Sequence, residues 1–199
     1  ALALIITIGA SALAGAVYSS LLAFSAINLK ADQTIGGTAL NLLAAALAVV
    51  VAKRVNGTDS SKISYSSSVN QHLNNVNYTF NIGPLTVNWF IVVSVAALAI
   101  AGFILYKTRF GMRLMSCGEH PQAADSVGIN VYKMRWAGVL ISGVLGGIGG
   151  MAYIVPPVGD WNFETGVAGM GFLALAVMIF GQWKPLNIAG ASLFFAVFR

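Results

Sequence analysis

Charge is what this sequence has least of. Asp, Glu, Lys and Arg make up 9% of its 199 residues, where a soluble domain carries about 25%. So few charges cannot cover a globule in water, and with 57% hydrophobic residues the natural solvent is lipid. Acidic groups are the scarcer sign: Asp32, Asp59, Glu119, Asp125, Asp160 and Glu164. All lie in loops or at helix ends, which counts against a proton- or sodium-coupled carrier built on an intramembrane carboxylate. Cys117 is the one cysteine, so the chain forms no internal disulfide. His72 and His120 are separated by a single apolar run and cannot share a metal. His-Glu-x-x-His, Gly-x-Ser-x-Gly and the phosphate-cradling Gly-x-x-x-x-Gly-Lys-Ser/Thr are all missing. The chain therefore offers no catalytic residues, no metal site and no ATP-binding loop of its own.

What it has instead is length without charge. Apolar runs cover 1–27, 36–52, 88–106, 136–155 and 166–181, and a sixth begins near Leu186 and reaches Arg199. A spanning helix needs about 20 residues, so the second and fifth are short. The expectation is an all-α, polytopic membrane protein with about six transmembrane or partial helices. The chain begins and ends inside apolar runs, with no initiator Met and no signal peptide. Residues are therefore expected to be missing at both ends of a single transmembrane domain covering 1–199.

The net charge of +5 is a matter of topology rather than nucleic-acid binding. Lys107, Arg109, Arg113, Lys133 and Arg135 cluster in or beside one loop, and Lys30 and Lys184 fall on the same face. The other face holds Lys53, Arg54 and Lys62. By the positive-inside rule, 107–135 is cytoplasmic and 53–88 extracellular. The outer loop is rich in Ser and Asn, with a turn at Gly83-Pro84 and two sequons, at Asn56 and Asn77, that occur by chance in so Asn-rich a stretch. The localisation implied is a cell membrane crossed several times.

Sliding the chain by 131 residues places Ser11, Gly15, Thr34, Leu42 and Ala45 on Ser142, Gly146, Thr165, Leu173 and Ala176. An odd number of crossings separates the copies, which makes an inverted repeat, and such repeats flank transport pathways near the bilayer midplane. Gly143, Gly146, Gly147 and Gly150 form two overlapping Gly-x-x-x-Gly pairs suited to close helix packing. Polar groups at membrane depth are Gln33, Thr34, Thr38 and Asn41 in one copy and Asn162 and Thr165 in the other, with Trp161, Phe163 and Phe172 nearby. Thr38, Asn41, Asn162 and Phe172 are the candidate substrate pathway, since amides and aromatic faces suit a neutral, flat polar ligand. Each has a plainer reading too: Asn41 and Thr38 as interhelical hydrogen-bonding groups, Trp161 as part of an interfacial belt.

The cytoplasmic loop carries Gly111-Met-Arg113-Leu-Met-Ser-Cys-Gly118-Glu119-His120-Pro121-Gln-Ala123-Ala124-Asp-Ser-Val-Gly128-Ile129. Pro121 suits a helix start, Glu119 its N-terminal end and Gly128 its exit, so a short helix crosses the cytoplasmic face as a docking knob. This run resembles the permease subunits of ATP-binding-cassette importers for simple sugars and nucleosides, where Gly-Glu-Asn-Pro, Ala-Ala and Gly-Ile recur; His120 replaces the Asn. The segments from Ala31 to Ala44, Ser142 to Gly150 and Gly169 to Ala176 are similar to the same family, and to its nucleoside-uptake branch. The resemblance implies a permease that translocates nucleosides across a bacterial cytoplasmic membrane, with a sugar permease of ribose or galactose type, or an ion-coupled carrier, as alternatives. It implies as partners a second homologous permease, an extracellular substrate-binding lipoprotein and cytoplasmic ATPases. ATP and Mg are bound by those ATPases, with no cofactor in this chain. It also implies that Arg113, Gly118, Glu119, Pro121, Ala123, Ala124 and Gly128 receive the ATPase.

Overall fold

The computed structural model describes residues 2–56, 62–64, 79–82, 85–154, 160–162 and 169–198. His72, Asn77, Gly83, Pro84, Phe163, Glu164 and Thr165 lie outside them. The chain divides into two units, one of Ala1–Tyr78 with Ser116–Glu164 and one of Thr79–Met115 with Thr165–Arg199.

The first unit is built on three long helices: α1 (Leu2–Ala23), which runs on into a π turn at Phe24–Asn28, α2 (Gln33–Asn56), and a helix over Val131–Ile154. Each holds an apolar span of 23 residues, at Ile6–Asn28, Gln33–Val55 and Val131–Tyr153. At 1.5 Å per residue such a span is about 35 Å long, enough for a hydrocarbon layer of about 30 Å. Their side chains look outward, with Leu13 69% and Leu42 73% exposed. Buried hydrophobic residues among those described are few and mostly small: Ala23, Ala52, Cys117, Ala124 and Val177. The helices are held by backbone approach rather than by a core of large side chains, as expected where lipid removes the hydrophobic drive between helices.

The second helix is longer than its apolar run. Asp32 caps it by accepting the Thr34 amide at 2.7 Å on its carboxylate, and its carbonyl accepts the Gly36 amide at 2.9 Å. That amide hydrogen bond holds the Asp32 carboxyl below the usual carboxylate range, so the cap stays ionised at neutral pH. Lys53 and Arg54 close the last turn, where cations complement the helix dipole. Polar ends thus extend the 36–52 run into a full span.

The second unit opens on a hairpin of β2 (Thr79–Ile82) and β3 (Leu85–Asn88), paired antiparallel from Thr79↔Asn88 to Ile82↔Leu85. The first unit has a comparable small pair, β1 (Lys62–Ser64) with β4 (Asp160–Asn162). These strands lie in segments read from sequence only as loops, and all the membrane-length elements are helical. From the hairpin, α3 (Trp89–Lys107) leads into α4 (Arg109–Glu119), bent by 77° from it. The bend is built by Thr108. Its hydroxyl donates to the Ile104 carbonyl at 2.6 Å, ending α3, and accepts the Gly111 amide at 3.2 Å, capping α4. Gly111 is buried in the elbow, where a Cβ would meet the Leu105 backbone. Thr108→Ala removes the cap and should lower stability by about 1 kcal/mol, while Thr108→Ser should retain it; thermal unfolding in detergent measures both.

Beyond the elbow come α5 (Pro121–Ser126) and α6 (Val131–Ile154) in the first unit, and α7 (Met170–Phe180) and α8 (Pro185–Val197) in the second. With 11 and 13 residues, α7 and α8 are about 16–20 Å long, each too short to span alone. They pack as a hairpin: Gly181 sits against the backbone of Ile188, and Phe180 meets Phe195 edge-on at 5.4 Å. The turn carries Gln182 and Trp183 at φ 49° and 61°. Of the run expected at 166–181, residues 166–168 lie outside the described residues, and α7 begins at Met170 after Gly169 at φ 74°.

Candidate functional site

Helices α1 and α6 cross antiparallel, small residue against small residue. Ser11 lies against Gly147 and reaches Met151, its Oγ 3.8 Å from the sulfur. Gly15 sits between Gly143 and Gly147, and Ser19 lies against Gly143. A Cβ on Gly143 would come within 2.7 Å of the Gly15 carbonyl oxygen, and one on Gly147 within 3.3 Å of the Gly15 Cα while overlapping the Ser11 carbonyl. Around Gly146 and Gly150 a Cβ would meet nothing within 4 Å. The crossing is centred on Gly15, packed between Gly143 and Gly147. The serines spend their donors inside their own helix, Ser11 on Ile8 at 2.9 Å and Ser19 on Ala16 at 3.0 Å, so this contact is one of van der Waals packing.

Beside the crossing, α1, α2 and α6 line an open groove of about 400 Å³, a volume within the range of roughly 300–1,000 Å³ for small-molecule sites. Its glycines are Gly15, Gly37, Gly143, Gly146 and Gly147, and its polar groups are Tyr18, Ser19 and Asn41. The Tyr18 hydroxyl donates to the Leu40 carbonyl, which fixes its ring beside Asn41. Every side chain lining this cleft is uncharged at neutral pH.

Of the pathway residues singled out from sequence, Asn41 lines this cleft. Thr38 is one turn away on the same helix, outside the lining, and its hydroxyl donates to the Ile35 carbonyl at 2.9 Å. Asn162 falls on β4, paired with Lys62. Phe172 belongs to the second unit, on α7, and is 74% exposed. Sequence reasoning missed Tyr18 and Ser19, whose signal was their position one turn beyond Gly15 on the small-residue stripe of α1.

In the basic segment expected to be cytoplasmic, α5 starts with Pro121 at its first turn and ends in a Schellman motif. The Gly128 amide donates to Asp125 O at 2.9 Å, the Ile129 amide to Ala124 O at 3.1 Å, and Gly128 takes φ 84°. α6 begins at Val131, five residues after the end of α5, capped by Asn130, whose side-chain oxygen accepts the Lys133 amide at 3.0 Å. The residues singled out from sequence face two ways. Gly118, Glu119, Ala123 and Gly128 are exposed and Pro121 half-buried, but Ala124 is 4% exposed, as Cys117 is 3% exposed, and both turn toward the chain itself. Glu119 ends α4 rather than starting α5. His120, Pro121, Gln122 and Ala123 rim a surface concavity of about 330 Å³. Arg113 stands exposed on α4, in the second unit.

The sequence is 42% identical over 198 residues to the nucleoside ABC transporter permease protein NupC of Lactococcus lactis, covering 94% of this chain and 59% of that protein. It is 41% identical over 185 residues to the guanosine ABC transporter permease protein NupQ of Bacillus subtilis, covering 92% of this chain and 58% of that protein. A nucleoside ABC transporter permease protein NupB, also of Lactococcus lactis, is 28% identical over 123 residues, 62% of this chain and 32% of that protein. The chain therefore spans a little under three fifths of the length of NupC and NupQ. No solved structure matches it. Its helices, its charge distribution and a family match along residues 1–199 agree: the chain belongs to the family described as branched-chain amino acid transport system / permease component, and is a membrane-embedded transport subunit.

Proposed function

We propose that this chain is the membrane-spanning part of an ATP-driven importer for nucleosides, and that the cleft between α1, α2 and α6 forms part of the path. The family description names amino acids, whereas NupC and NupQ are named for nucleosides. The observation that carries the choice is the neutrality of the cleft lining. A zwitterionic amino acid would leave two charges unpaired there, at a cost of several kcal/mol. A nucleoside has none. Its base and ribose present donors and acceptors that the Asn41 amide can meet on either sense, and the Tyr18 ring supplies an apolar face.

In this reading the importer works by alternating access. A second, homologous permease completes the pathway. A substrate-binding lipoprotein delivers the nucleoside from outside the bacterial cytoplasmic membrane. Cytoplasmic ATPases, which hold ATP and Mg, dock on the exposed face of α5 and its flanks at Gly118, Glu119, Pro121, Ala123 and Gly128; Arg113, exposed in the second unit, is a separate docking candidate. The chain itself carries out no chemistry: it binds, releases and moves.

The test is uptake of labelled nucleoside by cells whose own nucleoside uptake is deleted, expressing the permease with its partners. Uptake should vanish when the ATPase is made catalytically inactive; ion-gradient-driven uptake with no ATPase present would overturn the reading. Within that assay Asn41→Leu, close in size but without the amide, should reduce uptake about tenfold or more, the cost of a lost polar contact to a buried ligand. Thr38→Val should stay within about twofold, because that hydroxyl is already spent on its own helix.

A further inference from the structure

The end of α1 and the start of α6 are joined by one side chain. Asn28, the last residue of the π turn, accepts the Tyr132 hydroxyl at 2.8 Å and the Trp136 indole N–H at 3.3 Å, both on Oδ1. An indole N–H can only donate, so the amide orientation is settled by its neighbour. Tyr132 and Trp136 are one turn apart on α6, their ring centroids 6.5 Å from each other, and together they present two donors to one acceptor.

Three features give this contact a consequence for motion. The π turn above it, with the Leu29 amide donating to Phe24 O at 3.2 Å, carries one residue more per turn than an α-helix. Such turns are rare and mark places where a helix can change register. Ala23, immediately before it, is fully buried, so the helix is fixed just above the turn and any change of register falls between Ala23 and Asn28. Below, Tyr132 follows α5 by a short connection stiffened at both ends, by the Schellman motif at Gly128 and the Asn130 cap. Any displacement of α5 therefore reaches Tyr132 with little slack. Further along α1 lie Tyr18 and Ser19 of the cleft.

We infer that Asn28 is a positioning residue for transport, its Oδ1 latching the α5–α6 lever to the π turn so that movement of the cytoplasmic helix shifts α1 and thereby the cleft wall. The inference rests on the importer reading and extends it. The latch acts through an acceptor atom, so Asp at position 28 can replace Asn while Ala cannot.

The experiment uses the assembled transporter in proteoliposomes, measuring nucleoside imported and ATP hydrolysed in the same sample. Asn28→Ala, which deletes an acceptor shared by two donors, should lower nucleoside moved per ATP by about tenfold, and Asn28→Asp should stay within about twofold of wild type. Tyr132→Phe, which keeps the ring, should lower the ratio by about threefold on its own and change nothing further in the Asn28→Ala background. A purely structural role would lower import and hydrolysis together and leave their ratio unchanged. The inference is overturned if Asn28→Ala and Tyr132→Phe both keep the wild-type ratio, or if Asn28→Asp is as impaired as Asn28→Ala. Should Asn28→Ala fail to assemble, the Tyr132→Phe ratio decides. If wild type itself shows no ATP-dependent import, the importer reading fails before any variant is compared.

Discussion

Gly147→Ala should cost at least about 3 kcal/mol and remove most of the folded permease, whereas Gly150→Ala should be neutral or stabilise the protein by up to about 1 kcal/mol. The two substitutions add the same methyl to the same helix, three residues apart. At 150 the new Cβ meets nothing within 4 Å, so the change only exchanges a flexible residue for a good helix former. At 147 it lands on the Ser11 carbonyl, with the Gly15 Cα 3.3 Å away. Those neighbours are backbone atoms, and no rotamer change moves them aside. The helices must separate, and with them the Gly15–Gly143 contact and the cleft wall. Membrane-fraction yield and thermal unfolding in detergent read the outcome; equal tolerance of the two alanines would show that α1 and α6 do not meet at this register.

That contrast also marks where the sequence stops being legible. Four glycines in two overlapping pairs announce a close-packed helix, but 143/147 and 146/150 are offset by less than a turn, and only the position of α1 selects between them. The contacts that build the cleft are equally silent. Tyr18 reaches Leu40 on the next helix, and Asn28 reaches Tyr132 from 104 residues away; an isolated Asn at the end of an apolar run carries no local sign of its partner. The short helix α5 could be read because its chemistry is local. Proline at the first turn and glycine at φ 84° each satisfy a need of their own backbone. The elbow at Thr108 was hidden for the opposite reason. A basic stretch reads as loop, and the hydroxyl that both ends one helix and caps the next is visible only once both helices are in place.

Facing direction within α5 separates two neighbouring alanines whose replacement by arginine should fail for different reasons. Ala124 is 4% exposed. An arginine there must either bury its guanidinium without a partner, which costs several kcal/mol, or push α5 off the chain, so Ala124→Arg should lose folded protein along with transport. Ala123 is exposed beside the concavity formed with His120, Pro121 and Gln122. Ala123→Arg should therefore insert and unfold as wild type does, yet fill the surface on which the proposed ATPase rests. A bulky charge at the centre of a docking contact costs about 2 kcal/mol or more, or about thirtyfold in affinity. The expected result is loss of ATPase from the detergent-purified complex and of ATP-driven uptake, with thermal stability of the permease unchanged. Retention of a full complement of ATPase by Ala123→Arg would move the docking surface away from α5, and the exposed charged positions Glu119 and Arg113 on α4 would then be the next to test.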